Sequence, residues 1–150
     1  MKYFIGIDPG KTGGLSLLTE EGKLAWDPVS FKDMTEKDIS NVFKELMLGK
    51  FGDVTIFAFL ESVHAMPISG KVQCFGLGNS FGLLKGLLYA NDIPFELVTP
   101  QKWQKDIGCL SKGDKNVTKT KAQQLFPGVK VTHYVADSML IAEYCRRMKK

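Results

Sequence analysis

The sequence predicts an α/β domain built on a five-stranded mixed sheet with strand order 3-2-1-4-5, flanked by helices. Short apolar runs separated by turn residues dominate the first third of the chain. Further apolar runs then alternate with helical segments, and the last third is helical in pattern. A chain of 150 residues is large enough for one core, so we expect a single domain over residues 1–150.

The first three strands are predicted to form an antiparallel meander. Their ranges are Tyr3–Asp8, Gly14–Thr19 and Lys23–Val29. The residues between them are rich in glycine and proline or are very short, and such connections join antiparallel neighbours.

The next segments predict a helix followed by a buried strand. Thr35–Lys50 has one apolar face, and Thr35 with Asp38 forms a loose capping box. Asp53–Glu61 is a nearly continuous apolar run, which is typical of a central strand. The crossover rule places this fourth strand parallel to the first and beside it.

The remaining elements are predicted as one strand and four helices. Gly78, Gly82 and Gly86 recur at every fourth position of the first of these helices, which favours close packing of that face against a sheet or another helix. The elements are a helix over 71–91, the strand Ile93–Thr99, and the helices Pro100–Ile107, Asp114–Leu125 and Tyr134–Arg147.

Three acidic side chains mark a candidate site. Asp8 and Glu61 end the first and fourth strands, so parallel pairing places both at one edge of the sheet. Asp137 opens the last helix, whose positive end favours an anion, and His133 shares its face if that helix begins near 133. Carboxylates held together repel one another unless cations relieve the repulsion. The pattern therefore indicates Mg²⁺ or Mn²⁺, and two such ions support phosphodiester hydrolysis.

Each of these residues also has a plainer interpretation. Asp8 could shape the turn before Pro9, Glu61 could be a solvated strand end, Asp137 a helix-start acid and His133 a surface histidine. The segment 6–12 resembles a phosphate-binding loop, but it has three residues between its glycines where that motif needs four. We therefore expect no nucleotide cofactor.

Positive charge is concentrated in the last third of the chain. Residues 1–99 carry 9 Lys against 12 acids, whereas residues 100–150 carry 11 Lys plus Arg against 4 acids. This asymmetry indicates a polyanionic partner, most often nucleic acid, although a solvated lysine-rich surface is the alternative.

The sequence also indicates where the chain works. The apolar runs are too short for a membrane span, and no signal-peptide pattern is present. Because the three cysteines form no C-x-x-C pair either, we expect a reducing, cytoplasmic setting.

Five segments taken in chain order resemble a known family, the RuvC-type Holliday junction resolvases, and in particular their short phage branch. The resemblance spans essentially the whole chain. It implies a ribonuclease H-like fold and a homodimer, with the glycine-lined helix 71–91 as the candidate dimer face. It also implies Mg²⁺- or Mn²⁺-dependent cleavage of four-way junctions and other branched DNA, in the bacterial host cytoplasm if the chain is phage-encoded. The segments are Ile5–Gly10, Phe59–Glu61, Thr99–Trp103, Asp114–Lys115 and His133–Tyr144.

The resemblance also implies roles for single residues. Asp8, Glu61 and Asp137 match three of the family's four metal ligands, which together hold two ions. The fourth is usually an aspartate three residues before the last and sometimes a histidine. Here Tyr134 stands at that spacing and His133 one residue further back, so His133 is the candidate fourth ligand and would favour Mn²⁺.

Lysines complete the predicted site. In the family, lysines of this region contact phosphates near the scissile bond, so Lys115 is expected to be catalytic. The predicted DNA-binding residues are Lys102, Lys105, Lys112, Lys115, Lys119 and Lys121. Trp103 is expected in the core, and His64 or Met66 could wedge into a junction as a residue of this loop does in relatives.

Two other functions stay open. A nuclease of broader structure selectivity would cut flaps and replication forks as well as four-way junctions. A non-catalytic DNA-binding module would keep the fold without the chemistry, and the departure at the fourth ligand position favours it.

Overall fold

The computed structural model describes residues 1–48, 54–64 and 68–150. No helix within these ranges combines the length and the apolar composition that a membrane span needs. The strands are β1 (Lys2–Asp8), β2 (Gly14–Thr19), β3 (Val29–Ser30), β4 (Thr55–Glu61) and β5 (Phe95–Val98). The helices are α1 (Glu36–Leu48), α2 (Lys71–Ala90), α3 (Pro100–Ile107), α4 (Lys115–Leu125) and α5 (Ala136–Lys149).

The sheet has the order β3-β2-β1-β4-β5, which confirms the predicted order and fold class. β1 pairs antiparallel with β2 and parallel with β4, and β5 extends the sheet parallel to β4. Ile7 pairs with Leu60, so the next residues of the two strands, Asp8 and Glu61, end them side by side.

Three predicted boundaries are wrong. The third strand is only Val29–Ser30, with a single bridge between Leu18 and Leu24 before it, because Pro28 has no amide hydrogen to donate to a ladder. The last helix begins at Ala136 rather than at 134, since residues 132–135 form a turn in which the amide of Val135 donates to the carbonyl of Thr132. The fifth strand begins after Pro94. The predicted termini Lys50 and Asp53 lie outside the described residues.

Alternation along the strands divides the core into two layers. Phe4 and Phe59 face one side of the sheet, where α5 packs with α3 and α4 behind it. Ile5 and Leu60 face the other side, which α1 and α2 cover. The capping box of α1 forms as predicted, because the Thr35 amide donates to the Asp38 carboxylate and the Asp38 amide donates to the Thr35 hydroxyl.

α5 lies directly on the backbone of β1. A Cβ atom added at Gly6 would stand 2.1 Å from the amide nitrogen of Ala142 and 2.2 Å from the carbonyl oxygen of Ser138, so only glycine allows this approach. The hydroxyls of Ser16 on β2 and Ser138 are 2.8 Å apart and add a buried hydrogen bond beside this contact. The position of α5 over the sheet is thereby fixed.

The glycine face of α2 is open within the described part of the chain. Cβ atoms added at Gly78, Gly82 and Gly86 would meet nothing within 4 Å among the described residues. The buried residues of this helix are Leu84 and Leu88, on its other side. Within the described residues these glycines therefore contact neither the sheet nor another helix, and packing of this face against a helix of a second copy stays a prediction.

The contact at Gly6 leads to a stability prediction. In Gly6→Ala the new methyl overlaps the α5 backbone, which cannot yield as a flexible side chain would, so we expect a loss of about 3 kcal/mol or more in the free energy of unfolding in urea. Gly76→Ala is the matched control, because its methyl meets nothing within 4 Å and alanine favours a helix. A Gly6→Ala protein within about 1 kcal/mol of the unmodified chain would contradict the close approach.

Candidate active site

Strand alternation and helix placement bring three carboxylates to one rim of the sheet. Gly6 contacts α5, so Asp8, two residues on, points to the same face. Glu61 stands in the same relation to Phe59, which packs in the α5 layer. Asp137 lies in the first turn of α5, directly above this rim. Asp8 and Asp137 are buried and Glu61 is half-buried.

Glu61 is held by a tryptophan. The indole Nε1 of Trp103 donates to Oε2 of Glu61 over 2.7 Å. Trp103 is fully buried on α3, whose first turn is capped by the Thr99 side chain, which accepts from the amide of Lys102. The prediction that Trp103 belongs to the core is confirmed. Its hydrogen bond to Glu61 was missed, because no sequence pattern shows which way an indole nitrogen points.

Asp137 is paired with Lys115. The ammonium of Lys115, at the start of α4, donates to Oδ2 of Asp137 over 2.6 Å. The side chain of Lys115 is 61% exposed, whereas that of Asp137 is 6% exposed. The other carboxylate oxygen of Asp137, Oδ1, is buried and has no partner among the described residues. A buried anionic oxygen without a donor is unfavourable, and a cation would satisfy it.

Burial and mutual repulsion perturb the other two carboxyls. Burial raises the pKa of Asp8 well above its ordinary range, and the charges of Glu61 and Asp137 raise it further against the opposing effect of Lys115. Burial also raises the pKa of Glu61 to about 7, although the Trp103 hydrogen bond opposes this. Both groups therefore hold protons more tightly than free carboxyls.

Lys115 responds in the opposite sense to its surroundings. Partial burial works to lower its pKa, but the attraction of Asp137 and the hydrogen bond to it outweigh burial, and Asp8 and Glu61 add to the attraction. The pKa of Lys115 is therefore raised. Its ammonium acts as the counter-charge of all three acids.

The donor set at the rim suits a hard divalent cation. No group of three or more His, Cys, Asp or Glu side chains in residues 1–48, 54–64 and 68–150 forms a ready-made metal site. The three carboxylates nevertheless offer only oxygen donors, one of them the orphaned Oδ1 of Asp137, and oxygen is the ligand that Mg²⁺ and Mn²⁺ prefer. Metal binding therefore requires side-chain movements that bring these oxygens around the ion.

Two cavities open at this rim and share Lys115 as a common wall. One of about 420 Å³ is lined by Glu61 and Asp137 together with residues of α3 and the loop before α4. The other, of about 300 Å³, is lined by Asp8 and His133. Lys115 therefore lies between the cavity of Asp8 and the cavity of Glu61 and Asp137.

His133 borders the site by a different route from the one the sequence predicts. It is exposed and precedes α5, so the expected face shared with Asp137 on one helix does not exist. It reaches the cavity of Asp8 through the turn at 132–135 instead. Its part as fourth metal ligand stays a prediction.

The predicted lysines fall into separate places. Lys112 and Lys115 line the 420 Å³ cavity with the acids. Lys121 lines a different cavity on the outer side of α4, and Lys119 is half-buried on that helix. Lys102 and Lys105 are exposed on α3, on either side of the inward-pointing Trp103.

Other residues of the site were not found from the sequence. Gln104 and Ser111 line the 420 Å³ cavity, and the hydroxyl of Ser80 accepts from the amide of Gly10, which ties α2 to the turn after Asp8. Polar residues at helix and loop positions are too common to mark a site without the fold. Of the two wedge candidates, His64 is exposed and Met66 lies outside the described residues.

Comparisons with known proteins add information about the fold. No protein-family model and no curated protein matches the chain. Among solved structures, Thermus thermophilus RuvC in complex with Holliday junction substrate is similar with a TM-score of 0.68 and 14% identity, over 99% of this chain and 97% of that one. Another structure of Thermus thermophilus RuvC is similar with a TM-score of 0.64 and 16% identity, over 97% and 96%. The chain therefore has the RuvC fold over its whole described length.

The raised pKa of Glu61 gives a pH-dependent stability with a definite sign. The folded chain holds this proton more tightly than the unfolded chain between pH 4.5 and about 7, so the free energy of unfolding falls as pH rises through that window and Glu61 ionises. Glu61→Gln keeps an acceptor for Trp103 and removes the charge. We expect the unmodified chain in chelator to melt lower than Glu61→Gln at pH 8, with a smaller difference at pH 5.5.

Two further measurements complete this test. Mn²⁺ at pH 8 should raise the melting temperature of the unmodified chain more than that of Glu61→Gln, because a ligand that binds only the folded state stabilises it. Glu45→Gln is the control, since Glu45 is exposed on α1 and should show no such difference. If the melting temperatures of the unmodified chain and Glu61→Gln differed equally at both pH values, the raised pKa of Glu61 would be contradicted.

Proposed function

We propose that this chain is a metal-dependent endonuclease that cuts branched DNA, with the four-way junction as its principal substrate. The observation that carries the proposal is the convergence of Asp8, Glu61 and Asp137 at one sheet edge beside Lys115. One ammonium cannot balance the charge of three carboxylates, so this rim favours the binding of divalent cations. The RuvC fold supports this function by analogy. The residues at the rim carry the argument, because one fold can host more than one function.

The proposed metal ligands are Asp8, Glu61 and Asp137, with His133 as the fourth. Two bound Mg²⁺ or Mn²⁺ ions would supply an activated water and neutralise the charge that develops on the leaving oxygen. Trp103 holds the Glu61 carboxylate in a fixed orientation. Helix α5 presents Asp137 through its first turn, where the positive end of the helix stabilises the carboxylate.

Lys115 has two proposed positions in the reaction. In the metal-free chain its ammonium neutralises Asp137. If a cation held that carboxylate, Lys115 would be free to contact a non-bridging oxygen of the scissile phosphate, because its exposed side chain lines both cavities. A cation placed there stabilises the pentacoordinate transition state more than the ground state.

DNA is the substrate class that the charge distribution favours. Lys112 and Lys115 stand at the acidic rim, and Lys102 and Lys105 extend the positive surface along α3. Such lysines bind the phosphate backbone without reading sequence, and their contribution falls as salt rises. The neighbouring RuvC structure holds a Holliday junction, and by analogy we extend that substrate to this chain.

The central test is cleavage of a synthetic immobile four-way junction. The unmodified chain should cut it with Mg²⁺ or Mn²⁺ and not with chelator. Asp8→Asn should lower the rate at least about 100-fold while junction binding stays within a few fold, because one ligand is lost and the lysines remain. Undiminished cleavage by Asp8→Asn would refute the site.

Asp92→Asn provides the matched control for this variant. Asp92 is exposed, lies before β5 at the opposite end of the sheet, and has a φ of 50° that asparagine also tolerates. It should cut at the rate of the unmodified chain. Parallel assays on flaps, forks and linear duplex at one salt concentration would separate strict junction resolution from broader structure-selective cleavage.

We further propose that two copies pair through α2, so that one dimer can cut two strands. The exposed face of this helix carries Val72 and Phe75 near its start, 89% and 79% exposed, and then the open glycines Gly82 and Gly86. In an antiparallel pair related by a two-fold axis, each Phe75 meets the glycines of the partner copy. Bulky side chains then fill the space that glycine leaves open, which is the self-complementary pattern of a homodimer.

Sedimentation velocity tests this pairing. Phe75→Lys should convert dimers of the unmodified chain into monomers, because it places a charge in an apolar interface. Leu48→Lys is the control, since Leu48 is also exposed (71%) but lies on α1. Dimers that persist in Phe75→Lys would contradict the proposed interface.

A further inference from the structure

The cavity of about 420 Å³ beside the acids has the composition of a nucleotide site. Part of its lining is charged, namely Glu61, Asp137 and Lys115, where the scissile phosphate is proposed to lie. The rest of the lining combines the apolar residues Pro100 and Leu110 with polar residues that include Gln101 and Gln104. A nucleotide next to the scissile phosphate has the same two components, a charged phosphate and a flat, polar-edged base.

The amide of Gln104 is oriented by its neighbours. Its Oε1 accepts from the backbone amide of Ser111 and from the Ser111 hydroxyl, both over 3.2 Å. A backbone N–H can only donate, so the carbonyl end of the amide must face Ser111 and the NH₂ group must point the other way. That NH₂ group has no acceptor among the residues that the structure describes, and Gln104 lines the cavity.

The loop of residues 111–113, which orients Gln104, is itself held by a hydrogen bond and a tight turn. The Ser111 hydroxyl also accepts from the amide of Gly113 over 3.3 Å. Lys112 and Gly113 have φ values of 50° and 93°, which turn the chain back toward α3. The capped helix and the tight turn therefore fix the orientation of the Gln104 NH₂ group. A side chain that recognises a ligand needs such a fixed orientation.

From this geometry we infer that Gln104 is a specificity residue, which donates a hydrogen bond from its NH₂ group to the base adjacent to the scissile phosphate. The inference rests on the proposed nuclease function and concerns which sequences are cut. A glutamine that offers both its oxygen and its nitrogen reads adenine. Here the oxygen is occupied by Ser111, so the remaining donor favours a base edge with an acceptor, such as guanine O6 or thymine O4, over the amino group of cytosine.

Gln101 is a matched control within the same cavity. It lies one turn earlier on the same face of α3, is exposed, and makes no hydrogen bond with the described residues. Gln101→Glu introduces into this cavity a charge of the same sign as Gln104→Glu does. This substitution leaves the NH₂ group of Gln104 and its orientation unchanged.

The experiment maps cleavage on immobile junctions in which each nucleotide flanking the cut is randomised in turn. One well-made hydrogen bond contributes about 1 kcal/mol, which is about fivefold in relative rate, so the unmodified chain should show a preference of this size at one position. Gln104→Glu keeps the bonds from Ser111 but replaces the donor by an acceptor. Its preference should move to bases that present an amino group.

Three other variants make the test specific. Gln104→Leu should flatten the preference, and Ser111→Ala should weaken it because the amide is then held only by the backbone N–H. Gln101→Glu should slow cleavage of all sequences alike and leave the base distribution unchanged. Melting temperatures of all variants are compared to confirm folding.

The outcomes separate the two proposals. Cleavage with no base preference, or the same distribution for Gln104→Glu and the unmodified chain, would overturn the role of Gln104 and leave the nuclease standing. An unmodified chain that cuts no junction with either metal would overturn the nuclease and this inference with it. A preference that moves in Gln104→Glu but not in Gln101→Glu would support the inference.

Discussion

The candidate site depends on one contact, the backbone of α5 against the backbone of β1 at Gly6. Without a side chain at that position the helix approaches the strand to within 2.1 Å of where a Cβ would stand. This approach sets the height and the register of α5, and therefore the place of Asp137 over the strand ends. The Ser16–Ser138 hydrogen bond secures the same register from β2. A helix one methyl further out would carry Asp137 away from Asp8 and Glu61.

The second constraint is electrostatic. Three charged acids at one partly buried rim destabilise the fold. Burial, together with repulsion between the acids, raises the pKa values of Asp8 and Glu61. Lys115 relieves part of the repulsion through Asp137, yet Oδ1 of that residue stays unpaired among the described residues. The proposed divalent cations would relieve the rest of this repulsion. In that proposal, ion binding would free Lys115 to contact the substrate.

Local patterns in the sequence predict most of this architecture. The apolar runs, the turn residues and the crossover rule together give the strand order and place Asp8 beside Glu61, because register between parallel neighbours follows from where the runs end. The start of α5 was misplaced because Tyr134 and Val135 fit a helical pattern while the chain makes a turn there. The bonds from Trp103 to Glu61 and from Ser111 to Gln104 join separate elements, and no local pattern encodes such side-chain directions.

The most direct measurement is anomalous diffraction from crystals of the unmodified chain grown at pH 8 and soaked in Mn²⁺. We expect anomalous density bounded by the carboxylates of Asp8, Glu61 and Asp137, with the Lys115 ammonium displaced from Oδ2 of Asp137. Density at other acids, or a Lys115–Asp137 ion pair that persists at saturating Mn²⁺ with no density at this rim, would contradict the proposed metal site.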